Sequence, residues 1–342
     1  MFDFFEELSN AGAHRILAVQ DKPSGLHAFI ALDDMTLGPA CGGVRTLAYS
    51  STAEALKDVA KLSSAMTLKC AIAGLDAGGG KAVVMLHPDM DRAAAFRRLG
   101  DFIEDLGGLF RTAGDLGTTN EDLLQIAERT SHINTSSNQL STATGQGIVN
   151  CIRACAIERG LTGLSGLHIA VQGCGLIGNG VARSLAAQGA KVTLADVDEN
   201  KAKMLANEIG GKWIAADKIL TTEVDIISPC AIGGVVTPQI VNDIRAWAIC
   251  GGANNQLSDP SVDALLAARG IAYIPDFLAS SGAVIEGIAR TVMNTDPDPF
   301  IARLEATAVL ILQQARKEKS GTDAIGRTIA LSRIQKVNLS AA

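Results

Sequence analysis

Residues 167–198, LHIAVQGCGLIGNGVARSLAAQGAKVTLADVD, constrain the fold of this chain more than any other segment. An apolar run at 167–172 leads into a glycine-rich turn, a helical pattern at 177–188, and a second apolar run that ends before Asp196. This order is that of a βαβ unit, in which a helix joins two parallel strands. Because a parallel sheet is covered by helices on its faces, the unit predicts an α/β domain.

Further short apolar runs extend the predicted sheet. They lie at 224–228, 246–250 and 271–274. One helical pattern begins near residue 145, and two others lie at 283–292 and 300–319. Strands that alternate with helices in this way predict a Rossmann-type dinucleotide-binding domain over residues 136–325.

The glycines of the turn have the spacing of a nucleotide-binding fingerprint. Gly173, Gly175 and Gly178 fit GxGxxG, in which the glycines permit a tight turn, a close approach to a pyrophosphate and helix–strand packing. Asp196 follows the next strand, where a carboxylate accepts hydrogen bonds from a ribose 2′-hydroxyl. Such a carboxylate repels a 2′-phosphate, so the pattern favours NAD over NADP.

The first 135 residues mix strand and helix patterns. Strand-like runs at 15–20 and 26–32 flank Asp-Lys-Pro-Ser-Gly, which predicts a hairpin. Further predicted elements are a helix at 53–65, a strand at 81–86, a helix from Pro88 to about 106 and a helix capped by Asn120. We therefore expect a mixed α/β domain at 1–135, with residues 326–342 packing back on it.

Charge and composition disfavour several classes of partner. The net charge of -6 and the pI near 5.4 disfavour nucleic acid and acidic membranes, which attract basic proteins. The sequence MFDFFEEL is acidic where a secretory signal is basic, and no apolar run reaches the roughly 18 residues that span a bilayer. Cys151 and Cys155 have no accompanying histidine, so we predict buried thiols and no metal site. We expect a cytoplasmic protein that binds small molecules.

Two lysines and one aspartate are the candidates for chemistry. Lys69 and Lys81 flank a glycine-rich segment, and each lies in apolar sequence rather than on a charged face. Asp115 follows a strand-like run and precedes a helix cap. Taken singly, the lysines could be solvated side chains and Asp115 a turn or capping residue.

Six segments together resemble a known family. They are LGPACGGVR (37–45), MTLKCAIAGLDAGGGKAVV (66–84), TAGDLGTT (112–119), the GxGxxG unit, SPCAIGG (228–234) and GGANNQL (251–257). Their order and spacing are similar to those of the leucine, phenylalanine and valine dehydrogenases, within the glutamate dehydrogenase superfamily. The resemblance implies a substrate and oligomerisation domain followed by the dinucleotide-binding domain, with the active site in the cleft between them and a homo-oligomeric assembly. It also implies reversible oxidative deamination, in which an L-amino acid, NAD and water give a 2-oxo acid, ammonium and NADH.

The resemblance also implies residue roles. Lys81 matches the general base toward water, Asp115 the acid that moves protons to and from the substrate nitrogen, and Lys69 the lysine that binds the substrate carboxylate. The other substrate-binding positions are Gly42, Gly43, Met66 and Asn255, with Cys41, Ala113, Val284 and Gly287 around the substrate side chain. The cofactor-binding positions are Gly173, Gly175, Leu176, Ile177, Gly178, Asp196, Thr142, Ala231, Ile232 and Asn255. Burial and the neighbouring Lys69 cation together must lower the pKa of Lys81 more than Asp115 raises it if this lysine is to act as a base.

Two departures from the family bear on the substrate. Ser280 and Ser281 replace the Asn-Ala of leucine-specific members, and Cys41 and Gly287 are smaller than their counterparts there. Smaller walls favour a bulky side chain, so phenylalanine or tryptophan joins leucine and valine as a candidate. The predicted pocket residues include no ionic partner for a side-chain carboxylate, which counts against glutamate.

Two other classes of function stay open at this point. One is a non-catalytic NAD-binding sensor that keeps the fold, although such a protein need not retain desolvated lysines. The other is a 2-hydroxy-acid dehydrogenase, which needs a histidine base. None of the five histidines lies in a comparable glycine-rich segment.

Overall fold

The computed structural model describes residue 5, residues 15–135 and residues 139–341, with side chains described as far as residue 339. The chain packs as two compact units. The first comprises Met1–Ser137, Gly287–Thr295 and Ala330–Ala342, and the second comprises Asn138–Glu286 and Asp296–Ile329.

The first unit contains a five-stranded sheet in the order β1-β2-β4-β3-β5. The strands are β1 (Arg15–Asp21), β2 (Leu26–Leu32), β3 (Ala40–Leu47), β4 (Gly78–Met85) and β5 (Phe110–Gly114). The antiparallel pairing of β1 with β2 confirms the predicted hairpin. Strands β4, β3 and β5 run parallel to one another, so their carboxyl ends share one edge of the sheet.

Three helices cover this sheet: α1 (Thr52–Ile72), α2 (Arg92–Asp105) and α3 (Asn120–Ala127). One face packs on α1 through Ala55, Leu56 and Val59, and the opposite face packs on α2 and α3 through residues such as Phe96 and Ile126.

Several predicted boundaries in this unit are wrong. Helix α1 continues to Ile72 rather than stopping at 65, because no glycine or proline interrupts it before Gly74. Helix α2 begins after Asp91, which caps it by accepting from the Ala94 amide, and not at Pro88.

Thr119 rather than Asn120 caps α3, in a capping box with Asp122. Strand β4 begins at Gly78, three residues before the predicted start at Lys81, because the glycines belong to the strand. Glycine has low strand propensity and therefore hides such a beginning in the sequence.

The second unit contains a parallel sheet in the order β11-β10-β9-β6-β7-β8. The strands are β6 (His168–Gln172), β7 (Lys191–Ala195), β8 (Lys212–Trp213), β9 (Ile226–Pro229), β10 (Ala248–Ile249) and β11 (Ala272–Tyr273). This order confirms the predicted Rossmann-type sheet. Strands β7 and β8 are added on one side of β6, and the chain then crosses over to add β9, β10 and β11 on the other side.

The helices after β5 and α3 include the four whose positions were predicted. The first of these begins at Leu140 rather than 145, and the patterns at 283–292 and 300–319 correspond to Gly282–Thr291 and Asp298–Glu318. The helices of this part of the chain are α4 (Leu140–Glu158), α5 (Leu176–Ala187), α6 (Glu199–Ile209), a 3-10 helix (Ala216–Thr221), α7 (Pro238–Val241), α8 (Ser261–Ala268), α9 (Asp276–Ala279), α10 (Gly282–Thr291), α11 (Asp298–Glu318) and α12 (Thr322–Ala341). Among the residues that the structure describes, no helix is long and apolar enough to cross a membrane.

The packing units differ in detail from the predicted domains at 1–135 and 136–325. Residues 287–295 pack with the first unit, although the prediction places them in the second domain. Of the predicted returning segment, 326–342, residues from Ala330 onward pack with the first unit. The assignment of functions to the domains stays a prediction.

Candidate active site

Lys81 is a charged residue buried in the middle of a sheet. It lies on β4 opposite Ala31 of β2, and its side chain is only 7% exposed. Its Nζ lies 2.7 Å from Oδ2 of Asp115. A buried ammonium is costly without a partner, so this ion pair is what allows the lysine to stay inside the protein.

Asp115 reaches Lys81 because three strands approach closely. It follows β5, directly after Gly114. A Cβ on Gly43 of β3 would lie 2.6 Å from the Gly114 carbonyl oxygen and 2.9 Å from Asp115 Cβ. Gly43 therefore gives room for the Asp115 side chain beside β3.

A second cation binds the same carboxylate oxygen. Arg45 of β3 donates from Nε to Asp115 Oδ2 at 2.9 Å. Its Nη1 donates to Asp58 of α1 at 3.2 and 3.3 Å, and the Tyr49 hydroxyl donates to Asp58 at 2.6 Å. The sequence reasoning missed Arg45, Asp58 and Tyr49, although the strand alternation of Gly43 and Arg45 could have indicated that both face Asp115.

Burial has the largest influence on the pKa of Lys81. Desolvation lowers the pKa of Lys81 below its ordinary value, and the Asp115 carboxylate opposes this while the Arg45 cation adds to it. Desolvation raises the pKa of Asp115, but Lys81 and Arg45 outweigh it and hold that pKa below the usual range. The pair thus combines a lysine that loses its proton more easily than usual with a carboxylate that stays ionised.

The predicted substrate-side residues of the sheet lie in register on neighbouring strands. Cys41 is paired with Gly79 of β4 and Arg111 of β5, and Gly43 is paired with Ala113. Gly42 is buried, and its carbonyl accepts a hydrogen bond of 2.9 Å from Thr112. Desolvation raises the pKa of the Cys41 thiol to about 12, so this small side chain is neutral.

Arg111 is a cation beside Cys41 that was not among the predicted site residues. It is half-buried, and its Nε has no hydrogen-bond partner in the described parts of the chain. Its positive charge acts on Cys41. Its place in the strand pattern, two residues before Ala113, is the signal that could have revealed it.

Met66 and Lys69 lie on the last turns of α1, and both are half-buried. The helix sits directly on Gly79, where a Cβ would lie 2.1 Å from Thr67 Oγ1 and 2.3 Å from the Ser63 carbonyl oxygen. Glycine is therefore required at 79 for α1 to approach β4.

Val284 and Gly287 lie on α10 and are half-buried. The two serines that depart from the family pattern, Ser280 and Ser281, are buried. Each hydroxyl donates at 2.7 Å to a backbone carbonyl of α9, at Asp276 and Leu278 respectively. Both serine hydroxyls therefore provide hydrogen-bond donors for backbone carbonyls of α9.

The glycine-rich turn of the second unit is closely packed at Gly173 and Gly178 and open at Gly175. Gly173 has φ +94°, and a Cβ on Gly178 would lie 1.9 Å from the Gly173 carbonyl oxygen. Gly175, the residue before α5, has no atom within 4 Å of its Cβ position. Asp196 accepts hydrogen bonds from the amides of Cys174 (2.6 Å) and Asp198 (2.9 Å), so its carboxylate lies beside the turn. Open space at a helix N-terminus fits a bound phosphate.

The remaining predicted cofactor residues lie on exposed backbone of the second unit. Leu176 is exposed and Ile177 half-buried at the start of α5, and Thr142 is exposed on the first turn of α4. Ala231 and Ile232 follow β9 and are exposed. Asn255 is exposed with φ +51°, and its amide donates to Asp276 at 2.6 Å.

The chain is similar in sequence and in structure to several known proteins. A family model described as Glu/Leu/Phe/Val dehydrogenase, dimerisation domain, matches residues 14–132, and one described as Glutamate/Leucine/Phenylalanine/Valine dehydrogenase matches residues 193–298. The chain is 38% identical to a phenylalanine dehydrogenase of Lysinibacillus sphaericus, covering 83% of this chain and 77% of that protein. It is also 38% identical to a leucine dehydrogenase of Geobacillus stearothermophilus, covering 83% and 79%. The solved structure of L-tryptophan dehydrogenase from Nostoc punctiforme superposes with a TM-score of 0.88 at 30% identity, covering 98% of this chain and 99% of that one.

Proposed function

Since the chain belongs to the glutamate, leucine, phenylalanine and valine dehydrogenase family and is an oxidoreductase of amino acids, we propose that it is an NAD-dependent dehydrogenase of apolar L-amino acids. The observation that carries the proposal is the buried contact of 2.7 Å between Lys81 and Asp115. A lysine with a lowered pKa, paired with an ionised carboxylate, is suited to proton transfer at a substrate carbon and nitrogen.

Lys81 and Asp115 divide the proton transfers between them. Lys81 in its neutral form takes a proton from the water that attacks the oxidised substrate carbon. Asp115 carries protons to and from the substrate nitrogen, so that it leaves as ammonium. Lys69, on the last turn of α1, binds the substrate carboxylate as a point charge.

NAD is the cofactor that the second unit fits best. When bound, it accepts the hydride from the substrate carbon. The amides at the start of α5 and the open space at Gly175 support the pyrophosphate, and Asp196 supports a ribose with a free 2′-hydroxyl. Thr142, Ala231, Ile232 and Asn255 complete the proposed cofactor site.

An apolar substrate side chain is favoured by the wall at Cys41 and Ala113. The neutral thiol, the small Ala113 and the proposed wall residues Val284 and Gly287 leave room for leucine, valine, phenylalanine or tryptophan. Arg111 beside Cys41 contributes the aliphatic part of its side chain. The variant Arg111→Met should keep kcat/KM for leucine and phenylalanine within about threefold, since methionine preserves that apolar surface. A loss above about tenfold would mean that the guanidinium itself contacts the substrate.

We further propose that residues 1–135 with 326–342 form the substrate and oligomerisation domain and residues 136–325 the NAD-binding domain. A homo-oligomer is supported by the match of the first segment to a dimerisation-domain model. A cytoplasmic location is expected for an enzyme that depends on the pool of NAD.

A spectrophotometric screen tests the function. The purified protein is mixed with each of the twenty amino acids and with NAD or NADP, and the absorbance of the reduced cofactor is followed. We expect turnover with NAD and apolar amino acids, and no reduced cofactor from any of leucine, valine, phenylalanine and tryptophan would overturn the proposal. The variant Asp196→Ala should reduce the preference for NAD over NADP by about tenfold, because the repelling carboxylate is gone.

A further inference from the structure

Asp115 has two cationic partners, and only one of them is a proposed catalytic residue. Its Oδ2 accepts from Lys81 at 2.7 Å and from Arg45 at 2.9 Å. Arg45 is fixed at its other edge by Asp58, and Asp58 is fixed by the Tyr49 hydroxyl. These contacts form a continuous chain, Tyr49–Asp58–Arg45–Asp115–Lys81, that runs from α1 and β3 to the reacting lysine.

The geometry at Arg45 requires a guanidinium. Its Nε serves Asp115, and its Nη1 serves Asp58. A planar guanidinium offers these donors in fixed directions, whereas a lysine ammonium is a single point of charge on a flexible stem. Arg45 is also largely shielded from water, with 19% of its side chain exposed, so its charge is weakly screened.

The charges explain why a second cation is needed. With every group ionised, Lys81 and Arg45 balance Asp115 and Asp58. When Lys81 loses its proton, it stops neutralising Asp115, and a carboxylate without a counter-ion at a partly desolvated site either takes up a proton or moves. Arg45 is bound to the same oxygen at 2.9 Å, so a counter-ion for Asp115 is present whether or not Lys81 is charged.

We propose that Arg45 is a positioning residue that holds Asp115 in place, and ionised between its own proton transfers, while Lys81 alternates between its charged and neutral forms, and that Asp58 and Tyr49 fix Arg45 for this task. This inference rests on the proposed function. It assigns a role to residues that do not touch the substrate.

A direction of effect follows from the charges. The groups that act on Lys81 are Asp115, Arg45 and Asp58, and Arg45 is the one whose charge helps to lower the pKa of Lys81. Without Arg45, the positive charge that disfavours protonated Lys81 is gone, and of the two cationic partners of Asp115 only Lys81 remains. The pKa of Lys81 should therefore rise. Because the base must be neutral, kcat then reaches its plateau only at higher pH.

The test compares Arg45→Lys and Arg45→Met with a control variant at another arginine, Arg153. Arg153 of α4 has the same arrangement of two partners, with Nε at 2.7 Å from Glu305 and Nη2 at 2.6 Å from Asn150. We expect Arg45→Met to lose about tenfold in kcat near neutral pH and to shift the rise of kcat by about one pH unit upward. Arg45→Lys keeps the positive charge without the fixed donor directions of the guanidinium, so it should shift the profile less. Arg153→Lys should leave the profile unchanged, and Tyr49→Phe should move it in the same direction as Arg45→Met but less. An unshifted profile in Arg45→Met overturns the inference.

A double variant separates this role from a merely structural one. If Arg45 acts through Lys81 and Asp115, Arg45→Met should cost little further kcat in a Lys81→Met background. If the fold-loss of kcat in the double variant equals the product of the fold-losses in the two single variants, the proposal is contradicted.

A measurement independent of turnover keeps the two proposals distinguishable. Lysine can be labelled with ¹³C and titrated by NMR, with the Lys81 signal identified by its loss in Lys81→Met. A higher pKa for Lys81 in Arg45→Met than in the wild type supports the inference even in a protein for which no substrate is found. An equal or lower pKa overturns it even in an active enzyme.

Discussion

The two glycine-rich segments of this protein use the same residue for opposite purposes. In β4, Gly79 and Gly80 lie in a regular strand, and a Cβ at Gly79 would strike Thr67 and Ser63 of α1. At the turn before α5, Gly173 adopts φ +94°, and Gly175 faces open space. In the strand, the missing side chain is replaced by protein that packs against the backbone. At the turn, it leaves room that a ligand can occupy.

A glycine near a functional residue can therefore act through the fold or through a ligand. The glycines of β4 determine the distance between the strand that carries Lys81 and the helix that carries Lys69, so they act through the fold. Gly175 has extended backbone, with φ -71° and ψ -169°, that any residue adopts. Its role therefore lies outside the protein's own packing.

The largest effect should come from removing the proposed base in the first unit. Lys81→Met should lower kcat by about 10³-fold, since general-base catalysis contributes about 10² to 10⁴. The affinity for NAD, measured by fluorescence or calorimetry, should stay within about twofold because the nucleotide residues lie in the other unit. A comparable loss of both would mean that the functional division between the two segments is wrong.

The next effect concerns stability and uses the strand glycine. Gly79→Ala should lower the free energy of unfolding by about 3 kcal/mol, because the new methyl group meets helix backbone that cannot turn aside. Chemical denaturation of Gly163→Ala is the control, since no atom lies within 4 Å of its Cβ position. Equal stability of the two variants would show that α1 can retreat from β4.

The smallest effect uses the turn glycine. Gly175→Ala should weaken NAD binding by about tenfold, roughly 1.4 kcal/mol, while the melting temperature without NAD stays that of the wild type. Gly178→Ala offers the contrast, because its methyl group would meet the Gly173 carbonyl and should destabilise the turn itself. A Gly175→Ala protein that binds NAD normally would mean that the pyrophosphate does not use this space.

The sequence was sufficient where one segment contains the whole pattern. The βαβ unit holds its strand, turn, helix and acid within 30 or so residues, and the predicted helix at 177–188 lies within one residue of α5. The hairpin of β1 and β2 was predictable for the same reason, since its turn residues lie between its two strands.

What the sequence could not predict depends on neighbours from distant parts of the chain. The start of β4 at Gly78 reflects the approach of α1, and no local propensity records that approach. Arg45, Asp58 and Tyr49 are ordinary polar residues until the fold brings them to Asp115. The balance at Lys81 also needed the structure, because burial is a property of the packed chain.

Helix α1 has a consequence for how this family of sites can vary. Asp58, which fixes Arg45, and Lys69, the proposed carboxylate anchor, stand on one helix about three turns apart and therefore on nearly the same side of it. Exposed side chains of this helix are free to vary, but the number of residues between Asp58 and Lys69 is not. One inserted residue turns everything beyond it by about 100° and carries Lys69 away from the sheet. The number of residues between Asp58 and Lys69 thus fixes the position of the proposed substrate anchor relative to the residue that holds Arg45.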